Sequence, residues 1–229
     1  MSTRQDFLAA MVQLVSGDLP LAEADRILAL AMAVKTYSRH RPRVIVEDEA
    51  GTAAFDYALS MLASWTEGFS GIRTVEYPVD DTDETPDMLR DDEWIIYEKP
   101  AGKVLRFLED SPTALESMRI TYTALHTCTD VASSVQAADE EAVQILAAAY
   151  YCEMLATYFA QNQDSTINAD SVEHTSKARD YAARAKTYRR LYADYMGVSG
   201  GVVPASVTSD QDLLASWQGD KLTHKGKYR

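Results

Sequence analysis

Cysteine is scarce in this chain of 229 residues, with Cys128 and Cys152 the only two. They follow no framework spacing, which excludes a disulfide-stapled secreted module and leaves reduced thiols in a cytosolic setting as the simplest reading. Histidine is nearly as rare, and His40, His126, His174 and His224 are scattered without metal-ligand spacing. His126 and Cys128 reach a metal only with two further ligands from elsewhere, so a loop histidine beside a half-buried thiol is the plainer reading. No apolar run approaches the roughly 20 residues of a membrane span. The stretch from Met1 to Val15 is broken by Arg4, Gln5, Asp6 and Gln13, and lacks the continuous apolar core of a secretion signal. Neither the phosphate-binding loop spacing nor a dinucleotide fingerprint occurs, and Gly200-Gly201 is followed by no helix that could cradle an anion. No serine sits in a nucleophile-elbow pattern, although a triad, being spatial, stays open at this level. No catalytic residue, metal ligand or cofactor contact is therefore assigned.

Charge of one sign is plentiful. The formal net charge is −13, which favours solubility and argues against a surface that binds nucleic acid throughout. Between Glu76 and Glu98 stand Glu76, Asp80, Asp81, Asp83, Glu84, Asp87, Asp91, Asp92, Glu93 and Glu98, against Arg90 alone. The run lacks the glycine and terminal glutamate register of a calcium loop, and Pro78 and Pro86 make it loop rather than helix. It reads as a solvated loop, or as a negative face turned toward DNA or a basic neighbour, with Asp80, Asp81, Asp83, Glu84 and Asp87 at its centre. Basic residues gather elsewhere: Arg39, His40, Arg41 and Arg43; Lys177, Arg179, Arg184, Lys186, Arg189 and Arg190; and Lys221, Lys225, Lys227 and Arg229. Separated patches of opposite sign steer a subunit onto copies of itself or onto a partner in fixed register, while a solvated helix face is the alternative for the middle group.

Hydrophobic periodicity sets the architecture. Leu8, Met11, Val12 and Val15 share one helix face, ended by Ser16-Gly17-Asp18. A second helix is predicted from Pro20, tolerated in a first turn, to about Lys35, with Leu21, Ala24, Leu28, Ala31 and Val34 as its stripe. The two are expected as an antiparallel pair that packs on something later in the chain. Arg41-Pro42-Arg43 breaks the helical pattern. Strands follow at Val44 to Val46, Gly71 to Tyr77, Glu93 to Tyr97, Lys103 to Leu108 and Met118 to Thr123, with a Pro/Gly turn making a hairpin of the third and fourth. The segment from Phe55 to Phe69 reads as a short helix or an irregular strand pair. Helices return after Ser134, first with the stripe Val143, Ala147, Tyr150, Met154 and Tyr158, then with Tyr181, Ala185, Tyr188, Tyr192 and Tyr195 before Gly197 as C-cap. Cys152 falls in the first of these as a core residue. The fold class is α+β: mainly a helical bundle (1–36 with 135–196), an inserted small antiparallel β module (37–134) and an extended C-terminal arm (197–229). That arm carries one apolar cluster, Leu213, Leu214 and Trp217, and a basic end including Tyr228 and Arg229. A tryptophan on a glycine-flanked arm reads as an anchor for a partner's pocket.

Several segments resemble the head–tail adaptor (connector) proteins of tailed bacteriophages. They are Tyr37-Ser-Arg-His-Arg-Pro-Arg43, Val75-Glu-Tyr-Pro-Val-Asp80, Trp94-Ile-Ile-Tyr97 leading to Arg106-Phe-Leu108, Arg119-Ile-Thr-Tyr-Thr123 and Asp164-Ser-Thr-Ile167. The likeness spans roughly Tyr37 to Gly197 and rests on patterns of fold rather than of chemistry. It implies a virion protein at the neck, assembled in the host cytoplasm as a ring of twelve beneath the portal protein, with no catalytic residues. It further implies an arm reaching the portal, here Leu213, Leu214, Trp217, Lys221, Lys225, Lys227, Tyr228 and Arg229. The other face receives the next neck or tail protein, and DNA passes through without sequence-specific binding. A tail-completion or neck protein one layer below, a metal-dependent enzyme using the acidic loop and a nucleic-acid binder using the basic helix are the alternatives.

Overall fold

The structure is a computed structural model and describes residues 2–16, 20–80, 82, 85–100, 102–161 and 171–198, with the side chains of 171–176 excepted. Four helices form around a single hub. Helix α1 (Arg4–Val15) starts on a capping box in which Thr3 Oγ1 accepts from the Asp6 amide and Asp6 returns to the Thr3 amide at 2.7 Å. It buries Phe7, Leu8, Met11 and Val15. Helix α2 (Glu23–His40) starts three residues after Pro20 and runs five past Lys35, so both expected ends move. Asp25 caps the Ala22 amide at 3.0 Å, a signal at N3 that outweighs a proline in the approach. At the far end Pro42 stops the helix at His40.

The apolar stripe of α2 is also rotated from the expected one. Ala29, Leu30, Ala33, Val34, Tyr37 and Ser38 are buried, while Ala24, Leu28 and Ala31 are exposed. Ile27 to Val34 is apolar without interruption, so periodicity alone cannot choose a face there; the small Ala29 and Ala33 let α2 lie close to its neighbour. That neighbour is α3 (Glu140–Gln161), against which α1, α2 and α4 (Ser171–Met196) all pack. The expected α1–α2 pair is a minor contact by comparison. A helix covered on three sides must be apolar nearly all round, and α3 buries Ala142, Val143, Leu146 to Ala149, Tyr151, Cys152, Leu155 and Phe159. The expected stripe residues Tyr150, Met154 and Tyr158 sit at the rim of this core. From α4, Tyr181, Ala185 and Tyr192 are buried, Tyr188 is half-buried, and Tyr195 is exposed with its hydroxyl donating to the Ala138 carbonyl. Gly197, at φ +68°, takes the left-handed conformation that ends α4.

The sheet half holds six strands in two antiparallel sheets rather than five in one module. Strands β1 (Arg43–Ala50), β6 (Ser117–Ala124) and β3 (Ile72–Glu76) form the first, in the order β1-β6-β3. Strands β2 (Asp56–Ala58), β5 (Gly102–Phe107) and β4 (Trp94–Lys99) form the second, in the order β2-β5-β4. The uncertain segment 55–69 thus supplies β2 and a single 3₁₀ turn, Leu59–Met61. The expected hairpin is β4–β5, with Lys99 opposite Gly102. The sheets share a core of Val75, Leu105, Phe107, Met118, Ile120 and Tyr122. Along β6, buried residues alternate with half-buried ones, as its sequence predicts. Gly51 is required where β1 leaves the sheet: its amide bonds Glu116 O at 2.9 Å, and a Cβ there would lie 2.0 Å from the Thr113 carbonyl oxygen. No helix among the described residues is long and apolar enough to cross a membrane. The C-terminal arm and the loop 162–169 lie outside the described residues.

Candidate interaction surface

Helices and sheets are joined by a buried polar seam at the α2–β1 corner. Asp139 is buried and receives the Tyr37 hydroxyl at 2.7 Å and Arg41 Nη1 on both oxygens at 2.7 Å. Ser38 Oγ donates to Val34 O at 2.7 Å and accepts the His126 amide at 2.9 Å. The His126 ring stands between Ser134 O at 2.8 Å and Arg41 O at 2.9 Å, with Ser134 Oγ 3.2 Å from Nδ1. His40 Nδ1 meets the Tyr192 hydroxyl at 2.7 Å, tying α2 to α4. Burial, with Asp139 close by, pushes the Tyr37 hydroxyl well above the ordinary tyrosine range and holds it neutral as a donor. Both ring nitrogens of His126 are engaged, so the ring is a strut, and no group of three metal-ligating side chains occurs among the described residues. The basic patch expected from Arg39 to Arg43 is accordingly divided, with Arg41 turned inward on Asp139 and Arg39 exposed.

The acidic run divides as well. Glu76 belongs to β3, is buried, and faces Arg119 at 3.6 Å; Arg119 also grips Asp48 at 2.7 and 2.9 Å. Strand alternation turns Val75 into the core and Glu76 to the other face, where it stands opposite Arg119 of β6 and is still buried, which a reading of the run as one loop did not anticipate. Glu93 holds Arg90 at 2.8 Å. Asp80 is exposed, and its Oδ1 accepts from the Thr82 amide and hydroxyl at 2.8 and 2.6 Å. Asp87 is exposed too, its carbonyl accepting the Tyr77 amide at 2.9 Å. Asp81, Asp83 and Glu84 lie outside the described residues, so the acidic centre is placed through Asp80 and Asp87, at the end of the sheet half where β3 finishes.

On α4, most of the basic group is engaged, and Lys177 Nζ lies 5.7 Å from the Phe159 ring centre. Arg184 Nη1 donates to Val15 O at 2.9 Å, satisfying a carbonyl that α1 leaves free at its C-terminus. Arg189 binds Glu153 of α3 at 2.8 Å, with its guanidinium 4.6 Å from the Tyr150 ring centre. Arg190 lies 3.8 Å from Asp194 on the same helix. Arg179 and Lys186 are exposed. The arm residues Leu213, Leu214, Trp217, Lys221, Lys225, Lys227, Tyr228 and Arg229 lie outside the described residues.

Sequence reasoning missed the apolar surface of the two outer strands. On β1, Val44 and Val46 are 46% and 56% exposed; on β4, Ile95, Ile96 and Tyr97 are 39%, 41% and 41% exposed. These positions read as ordinary strand residues, and nothing local says that their strands end at sheet edges. Beside β4, Asp56 receives Arg106 Nε at 2.6 Å and Nη2 at 2.9 Å, together with Lys99 Nζ. These hydrogen bonds hold the Asp56 carboxyl far below the usual carboxylate range. Arg106 in turn lies 4.3 Å from the Tyr97 ring centre, so the charged cluster fixes an exposed aromatic in place.

Fold and surface together define an α+β body whose helical half is packed against itself and whose sheet half displays apolar and acidic surface. No family model and no curated protein matches the chain. Among solved structures, a chain from the neck of a native GTA particle, computed with C12 symmetry, is similar at TM-score 0.29 and 12% identity, over 79% of this chain and 91% of that one.

Proposed function

We propose that this chain is a structural, non-enzymatic subunit of a phage or phage-like particle: a ring-forming adaptor at the neck that joins the portal protein to the tail. The observation that carries the reading is surface left over after folding. Val44 and Val46 on β1, and Ile95, Ile96 and Tyr97 on β4, stay exposed in two groups, each along one edge strand, whereas other exposed side chains such as Leu28, Leu115 and Val131 are scattered, and apolar area grouped in this way serves docking. The resemblance of Tyr37–Arg43, Val75–Asp80, Trp94–Tyr97, Arg106–Leu108 and Arg119–Thr123 to head–tail adaptors supports the same reading. In it, the arm from Gly200 onward orders on the portal through Leu213, Leu214 and Trp217, at an ordering cost that delays ring formation until the portal is present. Asp80, Asp87 and their neighbours in the acidic run repel passing DNA from the conduit wall.

Electron microscopy of the full chain mixed with its portal tests this. Rings on the portal are expected from the full chain and none from a variant lacking 200–229. The truncated variant should still melt cooperatively, because α4 closes on Gly197 and Val198 before the cut. A truncated chain that binds portal as well as the full one rejects the arm's role. A full chain that cross-links to the tail tube and never to portal moves the protein one layer down the neck.

A further inference from the structure

The two sheets have four edges, and they are not equivalent. The outer side of β3 is covered by the segment 87–89: the Tyr77 amide bonds Asp87 O at 2.9 Å, the Leu89 amide bonds Val75 O at 2.8 Å, and Glu76 bridges to Met88. Strand β2 has three residues, too few for a long ladder. That leaves β1, with eight residues, and β4, with six, each paired on one side only among the described residues. Folded proteins guard such edges with charge, proline or bulges. Here the early part of each edge is apolar, Val44-Ile45-Val46 on β1 and Trp94-Ile95-Ile96-Tyr97 on β4, and charge is confined to the rest, Arg43 and Glu47 to Glu49 on β1 and Glu98-Lys99 on β4.

The two edges also fit one another. On β1 the even positions Val44, Val46 and Asp48 face outward, while Ile45 packs toward the core. On β4, Ile96 stands opposite the buried Leu105 and Trp94 opposite the buried Phe107, so Ile95, Tyr97 and Lys99 face outward. An antiparallel register with Val44 opposite Tyr97 keeps every outward residue on one face. It sets Val46 against Ile95 and Ile45 against Ile96, and it places Arg43 opposite Glu98. Neither Arg43 nor Glu98 closes an ion pair within the chain among the described residues.

We infer that β1 of one copy pairs antiparallel with β4 of a second copy of this chain, in the register Val44 to Tyr97. Because the joined edges differ, the contact is head-to-tail and leaves a free β1 and a free β4 at the ends, which closes into a ring or extends without limit. Main-chain bonds along the strands supply affinity, while the apolar pairs and the Arg43–Glu98 pair fix the register. The inference deepens the ring reading above and rests on it for closure alone.

The test uses full-length protein in a Cys128→Ser background, with Val46→Cys on one preparation and Ile95→Cys on a mass-tagged second. Mixed under mild oxidation at high concentration, they should form the V46C–I95C heterodimer about tenfold faster than either homodimer. Tyr97→Cys in place of Ile95→Cys shifts the register by two residues and should react more slowly. Equal rates for all pairs, or no cross-link, overturn the pairing. Independently, Arg43→Glu should abolish rings on the portal, and Arg43→Glu with Glu98→Arg should restore them; circular dichroism checks that each variant folds. Rings on the portal without heterodisulfide sink the edge contact and spare the ring. Heterodisulfide without portal binding keeps the edge contact and removes the neck assignment.

Discussion

The helical half and the sheet half solve burial in opposite ways. In the helices, one element, α3, is surrounded, and small residues such as Ala29, Ala33 and Ala147 to Ala149 let three other helices close on it. Of their large apolar and aromatic side chains, the helices leave Leu14, Leu28, Met32, Leu191 and Tyr195 exposed. In the sheets, large aromatic and branched residues fill a thin core between two three-stranded layers, and the outer strands keep Val44, Val46, Ile95, Ile96 and Tyr97 in solvent. Charge divides in the same way: the acidic run lies wholly in the sheet half, whereas much of the basic group on α4 is spent holding α4 to α1 and α3. The difference is that the helices hold to one another, while the sheets offer apolar and acidic surface to solvent.

The comparison breaks most sharply at α3. Leu155 is fully buried in the hub, and Leu155→Asp places a carboxylate in an apolar core. A loss of more than about 4 kcal/mol is expected, enough to abolish cooperative helical melting at 222 nm. The equivalent insult on the sheet edge, Val46→Asp, should change stability by no more than about 0.5 kcal/mol, since the residue is already in water. If the two variants melt alike, the assignment of holding to helices and offering to sheets is wrong.

The seam between the halves comes next. Asp139 is 2% exposed and serves two donors, whereas its partner Arg41 is 45% exposed in its side chain. Asp139→Ala strands the Tyr37 hydroxyl in the core and should cost about 3 kcal/mol in urea unfolding, the lower end for a broken buried pair because Arg41 can turn to solvent. Arg41→Ala should cost less, and Tyr37→Phe about 1 kcal/mol. No loss from Tyr37→Phe, with Arg41→Ala as costly as Asp139→Ala, would mean that Asp139 is held by the charge of Arg41 alone, and the seam would then be an ion pair rather than a network.

Much of this fold was legible before any coordinates. The strands at 44–46, 71–77, 93–97, 103–108 and 118–123 are where alternation and β-branched residues place them, and α4 ends at Gly197 as its cap predicts. What escaped was anything decided between elements. The face of α2 could not be read from an uninterrupted apolar run, because which of its sides is buried depends on the shape of α3. Glu76 could not be separated from the acidic run, since its burial follows from joining β3 opposite Arg119 rather than from its neighbours in sequence. The same holds for the interaction surface: the charged groups announced themselves, but exposure on β1 and β4 depends on strand order, and strand order is a long-range property. His126 showed no signal at all, because its two partners are backbone carbonyls, which every residue has.

The mildest probe, pH, should separate the two halves without mutation. Among the described residues, the carboxyls held below their ordinary range are Asp48, Asp56, Glu67, Asp80, Glu93 and Glu116 in the sheet half, against Asp6 alone in the helices. In each, hydrogen bonds from arginine, lysine, threonine or tyrosine favour the charged form. A depressed group lends stability in full above its unfolded value, near pH 4, and withdraws it as pH falls through the folded value. Asp56 and Glu93 are half-buried and the others solvent-exposed, so each contribution is small and salt weakens it further. At the other extreme, burial raises Tyr77 and Tyr122 in the sheet half, raises Tyr37, Tyr151, Tyr188 and Tyr192 in the helical half, with Tyr37 and Tyr192 moved furthest, and pushes the Cys152 thiol up to about 11. Groups raised in this way stabilise the fold below their unfolded values and cease to do so as pH climbs through the folded ones. Below pH 4, therefore, the emission of Trp65 and Trp94, both packed on the sheet core, should shift before the helical signal falls. Above pH 10 the helical signal should fall first, with Cys152 becoming open to alkylation at the same point. A single pH at which both signals move together, at either end, would show that the seam transmits unfolding whole and that the halves differ in surface but not in stability.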